Sequence, residues 1–554
     1  MSRVSIIETQ INEIPFVEEI YEIKQEELNV TGKVRIAFPE LSAPLDFKFE
    51  ITPSYPLKNY DSESITFRNS DLVELKHVMG NGAICIHTSH NIDLRKKLTI
   101  DFLSLKKWIE KYYINKEDDT HYEHLIYKEK VVKDIYHSYI FTDVNYIFTK
   151  GEFGKVYLNE LSNGTYKGKN IKNYIVQSFF TQGKFKINCN WSSWYIKSSP
   201  TNGGAFIYID DAPALFGKFA FNNWEDLKQF IPHEFLKFLH EFEKNNLKKY
   251  KGTLFPIFIG YRTINSEIHW LVTPIEIGNF PIKGIAERLE GKKTGKWYSE
   301  LENDKISWSI SRNSSYKYFF GRGALTSKIT DKKVLIIGVG AIGSMVAKTL
   351  VRGGCKYIHI ADYDVKEPEN VCRSEYLFNL GINDKIEELS RILSAISPFV
   401  ELETIDNHYF NSVIKFFYDK KEIRKEFVKS IENYDIIIDC TTDNDLMYIL
   451  DSLKLKTDIM NLSITNHAKA LICAFNPNIY DFVINQFSNV LKNDVEDLYN
   501  PTGCWDPTFK ASFNDIAVLV QMALKNINGL YENNLRKNNF VIKSIESNYK
   551  VEEF

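Results

Sequence analysis

Short apolar runs separated by polar turns recur along the chain, and their periods predict a mixed α/β protein with several sheets. Near the N-terminus, β-branched and aromatic residues predict strands at Val30–Phe38, Leu45–Ile51 and Ser64–Phe67. Helical spacing follows at Ile100–Tyr113, and Thr99 or Asp101 is the expected N-cap. The predicted apolar face of this helix consists of Phe102, Leu105, Trp108 and Ile109.

The region between about residues 140 and 315 is rich in Tyr, Phe and Trp, and we predict a mixed sheet with these side chains in its core. The predicted elements are strands at Ala205–Asp210, Leu254–Tyr261 and His269–Val272 and a helix at Trp224–Asn246. Asp210 and Asp211 stand at a strand end, where two carboxylates form either a metal-binding pair or, more commonly, a solvated turn. No chemistry is predicted for this region.

The most regular pattern lies between Lys333 and Lys385. A β-branched run, Val334–Ile337, enters a turn that contains Gly338, Gly340 and Gly343. A helix follows with Ile342, Val346 and Leu350 on one face, ends at Gly353-Gly354, and leads to a second strand, Tyr357–Ala361. This is a βαβ unit, and we expect phosphate groups at the N-terminus of its helix.

Glycine is expected in this turn because backbone N–H groups must come within hydrogen-bond reach of phosphate oxygens. Asp362 follows Gly343 by about 20 residues, the spacing of a carboxylate that binds a ribose. From these residues alone, an NAD-binding domain remains an open interpretation.

Polar residues beyond Asp362 favour a different chemistry. Asn370, Arg373 and Lys385 add an amide and two cations, which a dehydrogenase does not need but which stabilise the charge on a departing pyrophosphate. Asp443 follows a predicted strand at Asp435–Ile438, and a carboxylate at this edge of a parallel sheet is well placed to bind Mg²⁺. Further predicted elements are a helix at Asp384–Ser397, a strand at Val400–Ile405 and a helix at Asp515–Ile527.

The combination GxGxxG, D-x-D-x5-N-x2-R, a following Lys and D-C-T-x-D-N resembles the adenylating domain of the ubiquitin-activating and ThiF/MoeB superfamily, over residues 316–554. The resemblance implies ATP-dependent adenylation of a protein's C-terminal carboxylate by a Rossmann-like domain. It implies that Asp362 contacts the ribose and that Asp443 contributes to a magnesium site. It assigns the phosphate contacts to Asn370, Arg373 and Lys385.

Three features depart from that family. Ser374 stands where a Gln usually follows the Arg, and the spacing from Arg373 to Lys385 is short. No Cys-x-x-Cys pair is present, so the zinc site of many relatives is not expected. Relatives also place an Arg just before the first strand, and Arg312 or Arg322 fills that position here. Such an arginine is interpreted either as a further phosphate contact, including one made across a dimer, or equally well as a surface residue.

Composition narrows the possible partners and environment. A length of 554 residues is enough for about three domains. With a net charge of −3 and no long basic block, nucleic acid is not an expected partner, and no run reaches the roughly 18 apolar residues of a membrane span. The acidic N-terminus lacks the apolar core of a signal peptide. Seven scattered cysteines indicate reduced thiols in a cytoplasmic protein.

Cys85 follows a Gly-Asn-Gly turn and is either a buried core thiol or a nucleophile on a loop. FEITPSYPLKNYDSESITF, then NGAIC and a Trp-bearing helix, is similar to ubiquitin-conjugating domains over residues 15–115. The resemblance implies that Cys85 accepts a thioester. His77 stands where the family's oxyanion-stabilising Asn ends its His-Pro-Asn element, and a hydrogen-bonding role and a structural role both remain open.

Cys504 lies in a segment with Gly and two prolines, which predicts a loop. The helix predicted after it offers an N-terminal dipole that lowers a thiol pKa. The motif G-C-x-x-P-T-F is similar to the cysteine loop of bacterial fusions of conjugating and activating domains, and it implies that Cys504 is the activating-domain thioester cysteine. The other five cysteines are predicted to lie in the core: Cys189, Cys355, Cys372, Cys440 and Cys473.

The order of the conjugating-like domain, the middle region and the adenylating domain resembles the domain order of the fusion protein of bacterial type II CBASS antiphage operons. We predict a conjugating-like α+β domain at 1–140, an α+β linker domain at 141–315 and the adenylating domain at 316–554. The resemblance implies that ATP and Mg²⁺ are cofactors and that the partner is a cGAS-like nucleotidyltransferase whose C-terminal tail is joined to lysines of target proteins. It also implies a homodimer through the adenylating domain.

Three other functions remain open. Activation of a sulfur-carrier protein uses the same adenylation but does not explain the conjugating-like domain. A nucleotide-binding scaffold would use neither cysteine. An NAD oxidoreductase does not explain Arg373, Lys385 and Asp443.

Overall fold

Three sheets of four or more strands follow one another along the chain, each with its own apolar core, which confirms the predicted mixed α/β class. The computed structural model describes residues 2–60, 62–117, 125–196, 199–287, 296–405, 408–453, 455–491, 497–499, 508–546 and 548–554. Within these residues no helix is both long and apolar enough to cross a membrane.

The N-terminal unit is an antiparallel sheet of four consecutive strands, with one helix before it and one after it. Its elements are α1 (Arg3–Asn12), β1 (Val17–Glu26), β2 (Asn29–Ile36), β3 (Leu45–Ile51), β4 (Ile65–Arg68) and α2 (Leu94–Trp108). Alternate residues of β2 are buried, and α2 packs on the sheet with the Phe102 ring 5.0 Å from that of Phe67. The three strands predicted here are confirmed within two residues, whereas α1 and β1 were not predicted.

The helix α2 begins six residues earlier than its apolar spacing predicts. Its N-cap is Asp93, whose carboxylate accepts the N–H of Lys96 at 2.9 Å. The expected caps Thr99 and Asp101 are therefore wrong, because both lie inside the helix. Asp101 is fully buried, accepts the Tyr55 hydroxyl at 2.8 Å and pairs with Lys97. The predicted apolar face is confirmed, since all four of its residues are buried.

The middle unit is a mixed sheet with helices and short strand pairs around it. Its elements are β5 (Tyr136–Phe141), β6 (Phe153–Glu160), β7 (Gly164–Tyr166), β8 (Lys169–Thr181), β9 (Lys186–Asn188), α3 (Ser193–Ile196), β10 (Asn202–Asp210), β11 (Ala214–Leu215), β12 (Phe219–Ala220), α4 (His233–Tyr250), β13 (Leu254–Arg262), β14 (Ile268–Glu276), β15 (Ile282–Glu287), β16 (Lys296–Leu301) and β17 (Ile310–Asn313). The strand order is β14-β13-β10-β6-β8-β5-β17, with β7 and β9 added to β8. Because Ile126 pairs with Phe219 and β5 pairs with β8 and β17, we place residues 125–141 with this unit.

The aromatic residues of the middle unit form its core, as predicted. Phe148, Phe179, Phe206 and Trp270 are buried and make ring contacts with one another. The single helix predicted at Trp224–Asn246 is wrong in its first half: α4 begins only at His233, after Pro232, whose ring and missing N–H exclude it from a helix interior.

Asp210 and Asp211 form ion pairs at the strand end. Asp210 accepts the Tyr208 hydroxyl at 2.6 Å and lies 3.2 Å from Arg262, and Asp211 pairs with Lys150 at 2.5 Å. The interpretation of a solvated turn agrees with these contacts.

The C-terminal unit is an eight-stranded sheet flanked by helices. Its elements are α5 (Tyr316–Phe320), α6 (Ser327–Thr330), β18 (Lys333–Ile337), α7 (Ala341–Arg352), β19 (Tyr357–Ala361), β20 (Val365–Lys366), β21 (Asn383–Asp384), α8 (Lys385–Ile396), β22 (Glu401–Thr404), α9 (Tyr409–Phe416), α10 (Lys421–Ile431), β23 (Ile436–Asp439), α11 (Asn444–Ser452), β24 (Asp458–Ile464), β25 (Ala470–Phe475), α12 (Ile479–Asn485), α13 (Phe513–Glu532), β26 (Phe540–Ile545) and β27 (Asn548–Glu553). The strand order is β22-β19-β18-β23-β24-β25-β26-β27.

The first five strands of this order are parallel, and the remaining pairs are antiparallel. The parallel part has the doubly wound topology, in which ligands bind outside the carboxyl ends of the strands, where the strand order reverses. Here that edge is formed by the ends of β18, β19 and β23. The predicted βαβ elements are confirmed, with Ile342, Val346 and Leu350 buried on the inner face of α7.

Candidate functional site

The three glycines of the turn after β18 differ in how much space their surroundings leave for a side chain. Gly338 has φ +78°, and a Cβ there would lie 2.9 Å from the Thr441 nitrogen. A Cβ on Gly343 would lie 1.9 Å from the Gly338 carbonyl oxygen. A Cβ on Gly340 would have no atom within 4 Å. Gly338 and Gly343 are therefore required by packing, whereas Gly340 leaves open a space that a side chain would fill.

This difference gives a test of the turn. Gly340→Ala is expected to retain the fold but to weaken ATP binding at least tenfold, because its methyl group enters the space proposed for phosphate. Gly343→Ala is expected to destabilise the protein, because a backbone oxygen blocks the methyl group. Calorimetric titration with ATP and thermal unfolding of both variants check the pair. Unchanged ATP affinity in Gly340→Ala would contradict the placement of phosphate.

The partly buried Asp362 and the buried Tyr376 hold the turn in place. The Asp362 carboxylate accepts the N–H of Val339 at 2.7 Å and that of Asp364 at 2.9 Å. The Tyr376 hydroxyl donates to the Val339 carbonyl at 2.6 Å, so both sides of this residue are fixed. Burial raises the pKa of Asp362, and the nearby Lys385 opposes that shift.

A cavity of about 520 Å³ lies at the carboxyl ends of β18, β19 and β23. Its polar lining combines the glycine turn with carboxylates, cations and hydroxyl groups, and an apolar side is formed by residues that include Ile337, Phe410, Ile414 and Leu446. Seven of the ten site residues predicted from the sequence line it: Gly338, Gly340, Asp362, Asn370, Arg373, Lys385 and Asp443. A cavity of this size and mixed lining suits a nucleotide.

The two predicted cations enter the cavity from different elements. Lys385 is the first residue of α8, is 8% exposed and pairs with Asp364. Arg373 ends a 3-10 turn, donates through Nη1 to the Phe509 carbonyl at 2.8 Å and lies 5.2 Å over the Phe509 ring. Both cations therefore line the same cavity as the glycine turn.

Asp443 is the N-cap of α11 and also lines the cavity. Its Oδ1 accepts the N–H groups of Asp445 and Leu446 at 2.9 and 3.0 Å, which fixes the orientation of the carboxylate. Among the described residues there is no cluster of three or more His, Cys, Asp or Glu side chains that would hold a metal alone. This donor set fits Mg²⁺, which is usually held by one or two carboxylates together with substrate phosphates.

Asp439, at the end of β23, was not predicted as functional. It is 1% exposed and accepts hydrogen bonds from the Thr441 N–H, the Thr441 hydroxyl and the Asn461 amide. Burial raises the pKa of Asp439 to about 6, against these hydrogen bonds, which lower it. Asp439 thus orders the loop that leads to Asp443.

The raised pKa of Asp439 predicts a pH dependence of stability. The folded state keeps this proton at pH values where the unfolded state has lost it, so the contribution of the group to stability is lost as pH rises from about 4 through about 6. The loss amounts to about 3 kcal/mol. Urea denaturation at pH 4 and pH 7 is expected to show a smaller fall with rising pH in Asp439→Asn than in the wild type. An identical pH dependence in both proteins would contradict the assignment.

Several lining residues were missed by the sequence analysis. Phe410, Asn411 and Ile414 come from α9, and Thr441 and Thr442 from the loop after β23. The i, i+4 spacing of Phe410 and Ile414 was a readable signal of an apolar helix face. Nothing in the sequence indicated that this face meets the carboxyl ends of the strands.

Cys85 lies in the N-terminal unit and is exposed. Its N–H donates to the His77 carbonyl at 2.7 Å, and Ile84 before it donates to Phe67 at the end of the sheet. Partial burial of the thiol raises the pKa of Cys85. Of the two interpretations of Cys85, the buried core thiol is excluded by this exposure.

His77 adopts a left-handed backbone conformation with φ +59°, and its ring lies 4.7 Å from that of Tyr112. The ring therefore packs on the helical turn that follows α2, which favours the structural role, while its carbonyl supports Cys85.

The prediction that the other five cysteines lie in the core is wrong for Cys372 and holds only in part for Cys440. Cys372 is exposed because the 3-10 turn Pro368–Arg373 runs along the surface. Cys440 is half-buried and lines the cavity. The other three are buried.

Cys504 lies outside the described residues, within the segment 500–507. The residues on either side are described: Tyr499 pairs with Thr508, and Thr508 and Phe509 line the cavity.

Neither arginine before β18 lines the cavity. Arg312 pairs with Glu129 at 2.6 Å in the middle unit, and Arg322 is exposed.

Comparisons with known proteins agree with this geometry. Residues 311–486 match the ThiF family. The chain is 25% identical over 370 residues to the ATP-dependent ubiquitin transferase-like protein Cap2 of Enterobacter hormaechei subsp. hoffmannii, covering 62% of this chain and 59% of the relative. The chain thus spans less than two thirds of that relative's length.

Two other similarities cover a smaller part of the chain. Ubiquitin-like modifier-activating enzyme 5 of Drosophila virilis is 32% identical over 166 residues, covering 29% of this chain and 41% of the relative. A crystal structure of E. coli MccB with ATP is 16% identical with a TM-score of 0.29, covering 41% of this chain and 64% of that chain, a likeness too low to carry an argument. The family match and the doubly wound sheet together identify the C-terminal part of this chain as a ThiF family domain.

Proposed function

We propose that this chain uses ATP to activate the C-terminal carboxylate of a partner protein, carries the acyl group as thioesters on Cys504 and then Cys85, and transfers it to an amine. One observation carries the proposal: a single cavity is lined by the glycine turn, by Arg373 and Lys385, and by Asp443. The ThiF match and the similarity to the ubiquitin transferase-like protein Cap2 support the same class of reaction.

In the first step an oxygen of the partner's carboxylate attacks the α-phosphorus of ATP. The bond to the β-phosphate oxygen breaks, pyrophosphate leaves, and an acyl-adenylate forms. Arg373 and Lys385 donate to the phosphate oxygens, where negative charge accumulates as pyrophosphate departs. Asp362 binds the ribose, Asn370 adds a phosphate contact, and Asp443 would hold Mg²⁺, which supplies charge neutralisation when bound.

In the next steps the acyl group moves between thiols. The Cys504 thiolate attacks the acyl carbon and AMP leaves, which gives a thioester. The Cys85 thiolate then displaces Cys504, and a lysine amine of a target displaces Cys85 to form an isopeptide bond. The exposure of Cys85 on a loop supports its role as an acceptor, because a large acyl donor must reach it.

For the partner, we propose a protein with a flexible C-terminal tail, of the cGAS-like nucleotidyltransferase class in an antiphage operon of the CBASS type. The similarity to Cap2 supports this class. We also propose a homodimer formed through the ThiF domain and a cytoplasmic location. The predicted domain order stays part of this proposal, with the first boundary moved to precede residue 125.

The test combines two measurements on the full chain with its partner. Partner-dependent exchange of labelled pyrophosphate into ATP is expected, and its absence would exclude adenylation and leave a nucleotide-binding scaffold. Mass spectrometry of the partner after turnover is expected to show an isopeptide at its C-terminus. A thiocarboxylate there would instead indicate activation of a sulfur carrier.

A further inference from the structure

The middle unit contacts the Cys85 region through a buried lysine. Lys218 stands on the β11–β12 hairpin and is 2% exposed. Its Nζ donates to the carbonyl of Leu75 at 2.5 Å and to that of Val78 at 2.7 Å. Both acceptors belong to the N-terminal unit, more than 100 residues earlier in the chain.

The segment Leu75–Val78 has all four of its carbonyl groups hydrogen-bonded. Lys218 binds the first and the last, the Trp108 indole N–H donates to that of Lys76 at 3.2 Å, and Cys85 donates to that of His77 at 2.7 Å. The left-handed conformation of His77 costs about 1 kcal/mol or more, and such residues persist where their surroundings fix them. Lys218 supplies two of the four hydrogen bonds to the carbonyl groups of this segment.

The backbone of Cys85 rests on this segment. Its N–H donates to the carbonyl of His77, one of the two residues that lie between Leu75 and Val78. Loss of the Lys218 contacts is therefore expected to loosen the segment Leu75–Val78, to which the Cys85 backbone is bonded. No atom of the N-terminal unit is removed by that change.

A lysine in this position is costly. Burial, and secondarily the charge of Lys76, lowers the pKa of Lys218 to about 8. An apolar side chain of similar length would fill the same space without desolvating a charge. The advantage of a lysine over an apolar side chain at this position is therefore the pair of hydrogen bonds that its ammonium group donates.

We propose that Lys218 is a positioning residue for Cys85, through which the middle unit fixes the segment that carries the acceptor thiol. The inference rests on the proposed function for the acyl transfer to Cys85, but the fixing of the segment is independent of it.

The first test measures hydrogen–deuterium exchange of the full chain without ligands. Lys218→Met is expected to speed exchange at least tenfold in peptides covering residues 75–86, with no change in peptides of α7. Lys218→Ala is expected to give the same local increase. Lys130→Met is the matched control, since Lys130 donates to the Ile306 carbonyl at 2.9 Å within the middle unit. Unchanged exchange at residues 75–86 in both Lys218 variants would overturn the proposal.

The second test measures single-turnover transfer from Cys504 to Cys85. Lys218→Met is expected to slow transfer about 10- to 100-fold at saturating partner, with the half-saturating partner concentration and pyrophosphate exchange unchanged. A wild-type transfer rate would overturn the positioning role. If the wild-type protein forms no thioester at Cys85, the proposed function fails. Hydrogen–deuterium exchange still decides in that case whether Lys218 fixes the segment Leu75–Val78.

Discussion

Replacing Lys385 with methionine is expected to lower partner-dependent pyrophosphate exchange by about 100- to 1,000-fold. Lys385 lines the cavity and is largely buried, so its charge acts at short range with little screening by water. Loss of one preorganised group that stabilises developing charge typically has an effect of this size. The methionine keeps most of the volume of the side chain, which separates the loss of charge from a loss of packing.

The control for this variant is Lys348→Met. Lys348 also forms an ion pair in the ThiF domain, with Glu375, but it does not line the cavity. Pyrophosphate exchange in Lys348→Met is expected to stay within about twofold of the wild-type rate, because substitutions away from the site usually have small effects. If Lys385→Met also kept its activity, the assignment of Lys385 to the phosphate group would be wrong.

Substitution of each of the two proposed nucleophiles is expected to stop the relay at a different step. Cys504→Ala should form the acyl-adenylate but no reductant-sensitive adduct, because no thiolate remains to displace AMP. Cys85→Ala should accumulate the adduct on Cys504 and form no conjugate. Both effects are expected to be complete, since the attacking sulfur atom is absent.

Cys372→Ala serves as the matched control in this experiment. Cys372 is the other exposed cysteine among the described residues and lies beside Arg373 at the cavity. It is therefore an exposed thiol near the cavity that the proposed relay does not use. Wild-type adducts are expected in this variant, and gel electrophoresis with and without reductant distinguishes the four proteins. A reductant-sensitive adduct in Cys504→Ala, or a conjugate in Cys85→Ala, would contradict the relay.

Local periodicity predicted the elements that build the cavity. The strand at β18, the inner face of α7 and the strand at β19 follow from a switch between periods of 2.0 and 3.6 residues, with glycines marking the change. The doubly wound topology then places Asp362 and Asp443 at one edge, because the carboxyl ends of parallel strands share it.

Contacts between distant segments were not predictable in this way. Asp is a residue type that is common at helix N-caps, yet Asp101 is buried inside α2, where it pairs with Lys97 and accepts the Tyr55 hydroxyl. Free cysteine is a residue type that is usually buried, yet Cys372 is exposed because it lies in a 3-10 turn at the surface. The contacts of Lys218 with Leu75 and Val78 depend on how two units meet, which no local pattern encodes.

The most direct test of the account follows the acyl group in time on the wild-type chain. Partner and ATP are mixed with the protein, the reaction is quenched in acid at intervals, and mass spectrometry locates the partner's C-terminus. The account predicts an adduct at Cys504 first and at Cys85 second, each increasing the mass by that of the partner less one water. An adduct that appears at Cys85 before Cys504, or at neither, would contradict it.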